Sequence, residues 1–94
     1  MTIGFVGVHY PRPEYFEEFV ARVGQVAEIL RSRPGCLAAR SWVTADGAAV
    51  STVEFESQGA LDAAFADSRE QLAPLVVFDE REHRPRQVFT LESR

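Results

Sequence analysis

Cysteine and histidine are scarce in this sequence of 94 residues, which contains one cysteine, Cys36, and two histidines, His9 and His83. One thiol cannot form an intramolecular disulfide, and one cysteine with two distant histidines does not have the spacing of a zinc finger. We therefore expect no bound metal. Cys36 is expected to act as a small buried hydrophobe, and a free thiol fits a reducing cytoplasm.

An excess of positive charge and long apolar stretches are also missing. The formal net charge is −4 and the isoelectric point is about 5.1, so no broad electropositive surface is expected to attract nucleic acid or an anionic membrane. No stretch approaches the roughly 20 apolar residues that span a bilayer. The first ten residues lack the pattern of a signal peptide. The expected partners are small molecules or proteins.

What the chain does contain is typical of a folded domain. Hydrophobic residues make up 46% of it and charged residues 26%, and it shows no linker, internal repeat or low-complexity tract. We expect a single domain over residues 1–94. A domain of this size buries a lower fraction of its surface than a larger one, and oligomerisation would relieve that shortage.

The first third of the chain predicts a strand followed by a helix. TIGFVGVHY, Thr2–Tyr10, is rich in residues that favour strands. From Pro13 onward, apolar residues recur at spacings of three and four, which predicts an amphipathic helix. Pro34 and Gly35 end it, because proline cannot continue the hydrogen-bond ladder and glycine adopts positive φ after a helix.

The rest of the chain predicts a hairpin, a second helix and a last strand. CLAARSWVT and AAVSTVEFES flank ADG, where Asp46 and Gly47 both tolerate the positive φ of a hairpin turn. Ser57 predicts the N-cap of a helix that Pro74 ends. LVVF is expected to form a short irregular or helical piece under the core. DEREHRPR is expected to be a solvated loop, because its charges cancel, and QVFTLE is expected to be a strand. The order β-α-β-β-α-β predicts the ferredoxin-like α+β fold, a four-stranded antiparallel sheet with helices on one face.

Side chains along a strand alternate between the two faces of the sheet, which sorts the candidate site residues. We expect the plainer apolar set of each strand, such as Val6 and Val8, to meet the helices. The mixed polar and aromatic set is then left for the face turned toward a partner sheet. Its members are His9, Arg40, Trp42, Thr52 and Glu54. Strict alternation places Cys36 on this face as well.

The chain resembles the antibiotic biosynthesis monooxygenase-like family of dimeric α+β barrel proteins. The likeness lies in PGCLAARSWV after a long first helix, then a hairpin, then VEFES leading into GALDAAF, and it covers nearly the whole chain. It implies a homodimer whose two sheets face each other, with small-molecule pockets between each sheet and its helices. The family includes cofactor-free oxygenases of aromatic polyketides, heme-degrading enzymes and many members with no known reaction, so the fold alone does not select a function.

Departures from the family pattern narrow what the resemblance implies. Heme-degrading members use an axial histidine on the second helix with an asparagine and a tryptophan, whereas segment Ser57–Phe78 has no histidine and the chain has no asparagine. We therefore expect no heme and no other cofactor. Where many relatives have a tryptophan and then a histidine, this chain has Phe55 and then Ala64 or Phe65. Phe55 and Phe65 are predicted to contact the ligand.

Each remaining candidate has a functional and a structural interpretation. His9 is the candidate general base because an imidazole titrates near neutral pH, although a structural histidine with satisfied hydrogen bonds is the preferred interpretation. Arg40 could donate to a developing oxyanion, or form a cross-strand ion pair with Glu54 at a dimer interface. Trp42, beside Thr52 and Glu54, suits either ligand stacking or anchoring of the interface.

Two functions of different classes follow from these interpretations. The first is a small oxygenase without a cofactor, acting on an aromatic or ketide-like molecule that is acidic enough to form a carbanion that reduces dioxygen. The second is a homodimeric binding or structural module without turnover, which the missing histidine and tryptophan favour.

Overall fold

Strands and helices follow one another in the predicted order. The computed structural model describes all residues, 1–94. Its elements are β1 (Ile3–His9), α1 (Phe16–Arg31), β2 (Cys36–Val43), β3 (Ala49–Phe55), α2 (Gln58–Asp67), α3 (Arg69–Leu72) and β4 (Gln87–Glu92). The strands form one antiparallel sheet in the order β2-β3-β1-β4, and the helices pack on one side of it. The predicted ferredoxin-like α+β fold is confirmed.

The two sides of the sheet differ in what covers them. On the helix-facing side, Val53 and Phe55 of β3 are buried against Val26 and Leu30 of α1 and Leu61 of α2. The other side, here called the open face, has no covering layer. It is formed by Val6, Val8, Ala38, Arg40, Trp42, Val50, Thr52, Glu54, Gln87, Phe89 and Leu91.

β1 presents the opposite side to the one that the sequence predicted. Residues paired across antiparallel strands share a face, and Phe5 pairs with Val53 while His9 pairs with Ala49. Phe5, Gly7 and His9 therefore point toward the helices, whereas Val6 and Val8 lie on the open face. The prediction was wrong because it assumed that Val6 and Val8, as the more apolar set, would be buried against the helices. Both sides of β1 are largely apolar, so its alternation does not identify the buried side.

α1 ends at Arg31 with Ser32 as its C-cap, before the predicted stop at Pro34 and Gly35. Gly35 lies in the turn that follows, close to α2. Its φ is +85°, in the left-handed region that glycine adopts without strain. A Cβ placed on Gly35 would lie 2.8 Å from the Cβ of Ala60, which is too close for two carbon atoms. The glycine is therefore required both by the backbone angle and by the packing of the first residues of β2 on α2.

The β2-β3 hairpin forms around a different turn from the one predicted. Gly47 has a φ of +93°, but Asp46 does not have positive φ. The N–H of Gly47 donates to the carbonyl of Thr44 over 3.1 Å, and the N–H of Ala48 donates to the Thr44 hydroxyl over 2.9 Å. The threonine closes the turn, so positive φ is needed at one position only.

A bulge in β2 reverses the predicted placement of Cys36. Cys36 pairs with Phe55, whereas Ala38 pairs with Glu54, so Leu37 is an extra residue in the ladder. Two residues of β2 then occupy one step of β3, which breaks strict alternation. Cys36 packs against the core rather than lying on the open face with Arg40 and Trp42.

The predicted second helix is present in two pieces. The Ser57 hydroxyl accepts a hydrogen bond from the N–H of Ala60 over 3.1 Å, as expected of an N-cap. The helix breaks at Ser68, which separates α2 from α3 and is fully buried. Leu61, Ala64 and Leu72 are buried too, so one side of α2 and α3 faces the core although the helix is not continuous.

The segment between α3 and β4 contains one residue that contradicts the expected solvated loop. Leu75 and Val76 pack against the core, while Val77 and Phe78 are exposed. Glu82, in the middle of DEREHRPR, is only 4% exposed. Finally, none of the helices is long and apolar enough to span a membrane.

Candidate functional site

His9 lies at the end of β1 on the helix-facing side, where it is 7% exposed. The expected grouping of His9 with Arg40, Trp42, Thr52 and Glu54 is therefore wrong, because the sheet itself separates them. The His9 ring lies 6.0 Å from the ring of Phe19 on α1, centroid to centroid. The histidine thus belongs to the layer between the sheet and the helices.

Glu82 is the partner of His9 and was not identified from the sequence. Its Oε1 atom lies 3.3 Å from His9 Nδ1 and accepts a hydrogen bond from the N–H of Tyr10 over 3.0 Å. The Glu82 side chain is fully buried, and its other oxygen, Oε2, has no hydrogen-bond partner. In the sequence, Glu82 is one of three acids among three arginines, and nothing local distinguishes it from Asp79 or Glu80.

Backbone hydrogen bonds fix Glu82 beneath the end of β1. The N–H of His83 donates to the carbonyl of Tyr10 over 2.9 Å. The N–H of Arg12 donates to the carbonyl of Arg81 over 2.8 Å. Pro11 and Glu82 form an isolated antiparallel bridge between these bonds. Glu82 is thereby held against His9 from the opposite end of the chain.

Burial lowers the pKa of His9 below its ordinary value of 6.5. The charge and hydrogen bond of Glu82 oppose this shift, whereas the nearby charges of Arg86 and Arg22 add to it. His9 is therefore neutral at pH 7. A carboxylate oxygen only accepts hydrogen bonds, so Nδ1 carries the proton and Nε2 keeps a free lone pair.

His9 lines a cavity of about 190 Å³ between the sheet and the helices. Its polar lining residues are His9, Ser51 and Arg86, and its walls are otherwise mainly valine, leucine and phenylalanine side chains. Phe5 and Phe65 meet edge to face there, with ring centroids 5.0 Å apart. His9 Nε2 has no partner within the chain and is not among the fully buried unpartnered atoms. A base and a cation are thus present in one mostly apolar cavity.

The two predicted phenylalanines have different positions. Phe65 of α2 lines the cavity, as its predicted contact with a ligand requires. Phe55 has no exposed surface and belongs to the core, so it does not line the cavity. Its predicted ligand contact is wrong because the alternation of β3 directs it into the core beneath α2.

The other predicted residues form a separate group on the open face. The Trp42 Nε1–H donates to the Thr52 hydroxyl over 2.9 Å, and the Arg40 guanidinium lies 5.8 Å from the centre of the Trp42 ring. Glu54 accepts a hydrogen bond from the Thr2 hydroxyl over 2.8 Å and forms no ion pair with Arg40. Arg40, Thr52 and Glu54 line a shallow depression of about 430 Å³. Arg40 therefore does not share a site with His9, and the alternative of an Arg40–Glu54 ion pair is not formed within the chain.

Comparison with known proteins decides the family. Residues 3–72 match the family model described as antibiotic biosynthesis monooxygenase. The chain belongs to this family. Among curated proteins, none is significantly similar in sequence.

Several solved structures share the fold over nearly the whole of this chain. The Rv0793 protein of Mycobacterium tuberculosis is 22% identical, with a TM-score of 0.73, over 99% of this chain and 95% of that one. A conserved protein of Methanosarcina mazei is 18% identical, with a TM-score of 0.81, over 100% and 94%. A Streptomyces coelicolor monooxygenase in complex with the ligand nanaomycin D is 26% identical, with a TM-score of 0.67, over 99% and 87%.

The antibiotic biosynthesis monooxygenase match includes only part of the cavity. It covers His9, Ser51 and Phe65 but ends at residue 72. Glu82 and Arg86, two of the charged residues that act on His9, lie beyond it. The family match therefore covers β1, β2, β3 and the helices but not β4, and these two charged residues are interpreted from the structure of this chain.

Proposed function

We propose that the protein is a homodimeric oxygenase that binds a small aromatic or ketide-derived molecule in the helix-facing cavity and needs no cofactor. The observation that carries this proposal is His9, neutral at pH 7, hydrogen-bonded through Nδ1 to Glu82 and lining an apolar cavity beside Arg86. A base in a mostly apolar cavity suits carbanion chemistry. The family to which the chain belongs adds support.

The proposed reaction converts an activated CH₂ group of the substrate into a carbonyl. His9 Nε2 removes one proton, and Arg86 stabilises the negative charge that spreads to the substrate oxygen. The resulting carbanion forms a carbon–oxygen bond with dioxygen, which is reduced to a hydroperoxide as the proton is returned to it. The hydroperoxide then loses water, so that CH₂ and O₂ give C=O and H₂O. Arg86 takes the role predicted for Arg40, which lies on the other side of the sheet.

Oxygen consumption with an anthrone or an electron-rich phenol tests the proposal. We expect turnover without added flavin, heme or metal, and His9→Ala should lower the rate roughly 10²- to 10⁴-fold, as the loss of a general base does. His83→Ala is the matched control, since His83 is exposed and lies outside the cavity lining. Turnover that is abolished by a chelator, or that is unchanged in His9→Ala, would contradict the proposal.

A second candidate is a homodimeric binding module without turnover. It is favoured by α2, where Phe65 is the residue that lines the cavity and no polar side chain does so, although many relatives have a histidine in this helix. Binding of the same phenols, followed by calorimetry, would separate the two functions. Binding without oxygen consumption for any substrate supports the module over the oxygenase.

A further inference from the structure

We propose that Glu82 is a positioning residue that holds His9 in the tautomer and orientation needed to accept a proton from the ligand. The inference deepens the proposed function and rests on it. The observations that carry it are the contact of Nδ1 with Oε1, the second hydrogen bond of Oε1 to the N–H of Tyr10, and the complete burial of the carboxylate. Glu82 itself is not among the residues that line the cavity, so it acts through His9.

The hydrogen bonds of Oε1 determine which nitrogen of His9 carries the proton. The Tyr10 N–H anchors Oε1, and the remaining contact of this oxygen is with Nδ1. An anchored acceptor requires the Nδ1–H tautomer, which leaves the lone pair on Nε2. A carboxylate in this position also stabilises the imidazolium that forms once Nε2 has accepted a proton. Both effects favour His9 as a base rather than as a passive core residue.

The burial of Glu82 is difficult to explain by stability alone. Its Oε2 atom is buried without a hydrogen-bond partner, and an unpaired buried acceptor destabilises the folded state. A residue with the same shape and no charge would keep the hydrogen bond to Tyr10 without burying a charge. The side chain is thus buried with one oxygen unpaired and the other in contact with His9.

Other charged groups act on His9 in the opposite direction. Arg22 of α1 and Arg86 before β4 both disfavour its protonation, as does burial. Neither β3 nor the helices α2 and α3 place a titratable side chain in the cavity lining. Glu82 is therefore the group near His9 that stabilises the imidazolium.

Glu82→Gln tests the inference, because glutamine keeps the volume and an acceptor for Tyr10 but removes the charge. We expect the pKa of His9, followed by NMR, to fall below that of the unmodified protein. In turnover assays kcat should fall roughly ten- to hundred-fold, as expected for the loss of a hydrogen bond to a charged group, with little change in KM. The acid limb of the rate profile should move to lower pH. Glu82→Asp keeps the charge on a shorter side chain. Its His9 pKa and its kcat should lie between those of the unmodified protein and those of Glu82→Gln.

Glu80→Gln is the matched control, since it removes the same charge from an exposed neighbour. An unchanged pKa of His9 in Glu82→Gln overturns the inference, as does an unchanged kcat in a protein that turns over substrate. If the unmodified protein shows no turnover, the proposed function fails, and the NMR titration still decides the role of Glu82. If Glu82→Gln does not fold, Glu82→Asp provides the test. A His9 pKa and a kcat in Glu82→Asp equal to those of the unmodified protein overturn the inference.

Discussion

At the scale of single residues, His9 shows how a polar side chain is accommodated under a sheet. Its neighbour on the same side of β1 is Gly7, and a Cβ on Gly7 would lie 3.3 Å from the Ser51 hydroxyl oxygen. Small residues on β1 and β3 thus leave room beside the imidazole. Glu82 satisfies one ring nitrogen, and the cavity receives the other. Burial lowers the pKa of His9 despite Glu82, which makes folding sensitive to acid.

We predict that acid destabilises the fold through His9. Since the pKa of His9 is lower in the folded chain than the ordinary 6.5, the unfolded chain takes up a proton first as the pH falls. The contribution of His9 is therefore fully present above about pH 6.5 and is lost as the pH falls through the folded pKa. The free energy of unfolding in urea should be measured at about pH 7.5 and about pH 5.5. It should fall less between these two pH values in His9→Gln, which lacks the titrating group, than in His83→Gln, which keeps it. Equal losses in the two variants would show that His9 does not carry the effect.

At the scale of elements, the link from α1 to β2 depends on Gly35 for its positive φ and for its close contact with α2. Gly47 also has positive φ but makes no such contact, so a comparison of the two glycines separates the two effects. We expect Gly47→Ala to lower the free energy of unfolding by about 1–2 kcal/mol, the usual cost of a left-handed backbone with a Cβ, because no atom lies within 4 Å of the added carbon. Gly35→Ala should cost about 1–3 kcal/mol more, because the added carbon meets Ala60 at 2.8 Å. Urea denaturation of both variants measures the difference. Equal losses of unfolding free energy would mean that α2 moves away from the added carbon without destabilising the fold.

The elements also show which features a sequence determines locally. The bounds of β4 and the cap at Ser57 were predicted, because strand-forming residues and capping side chains act within a few positions. The side of β1 that faces the helices was not predictable, since it depends on the pairing of β1 with β3. The burial of Glu82 depends on a partner 73 positions away in the chain. The fold and Phe65 were thus accessible from the sequence, whereas the pairing of His9 with Glu82 required the structure.

At the scale of the whole molecule, the open face carries exposed apolar side chains. Trp42, Phe89 and Leu91 are each about half exposed there, and the face has no covering layer. Apolar surface of this kind on one side of a sheet favours a second layer. A second copy of the chain, packed through the same face, would supply it and would form the barrel that the family resemblance implies.

We predict a homodimer with about twice the chain mass of 10.5 kDa, measured by sedimentation at micromolar concentration. Trp42→Ala should weaken folding and association together by about 3–5 kcal/mol if the dimer buries the indole fully. Association should also shift the Trp42 fluorescence to the blue. Phe78→Ala is a matched control, because Phe78 is as exposed as Trp42, 49% in each case, but lies between α3 and β4. A monomer at all concentrations, or equal effects of the two variants, would argue against pairing through the open face.

The bulge at Leu37 has a chemical consequence for the proposed dimer. On the open face, Cys36 would lie where two copies meet, and air oxidation could link the subunits. The bulge instead packs Cys36 against the core, where burial raises its pKa and so lowers the fraction of reactive thiolate at neutral pH. The assembly should therefore be insensitive to reductant, and alkylating reagents should modify Cys36 slowly. One additional residue in β2 would thus make the association of the proposed dimer independent of oxidation.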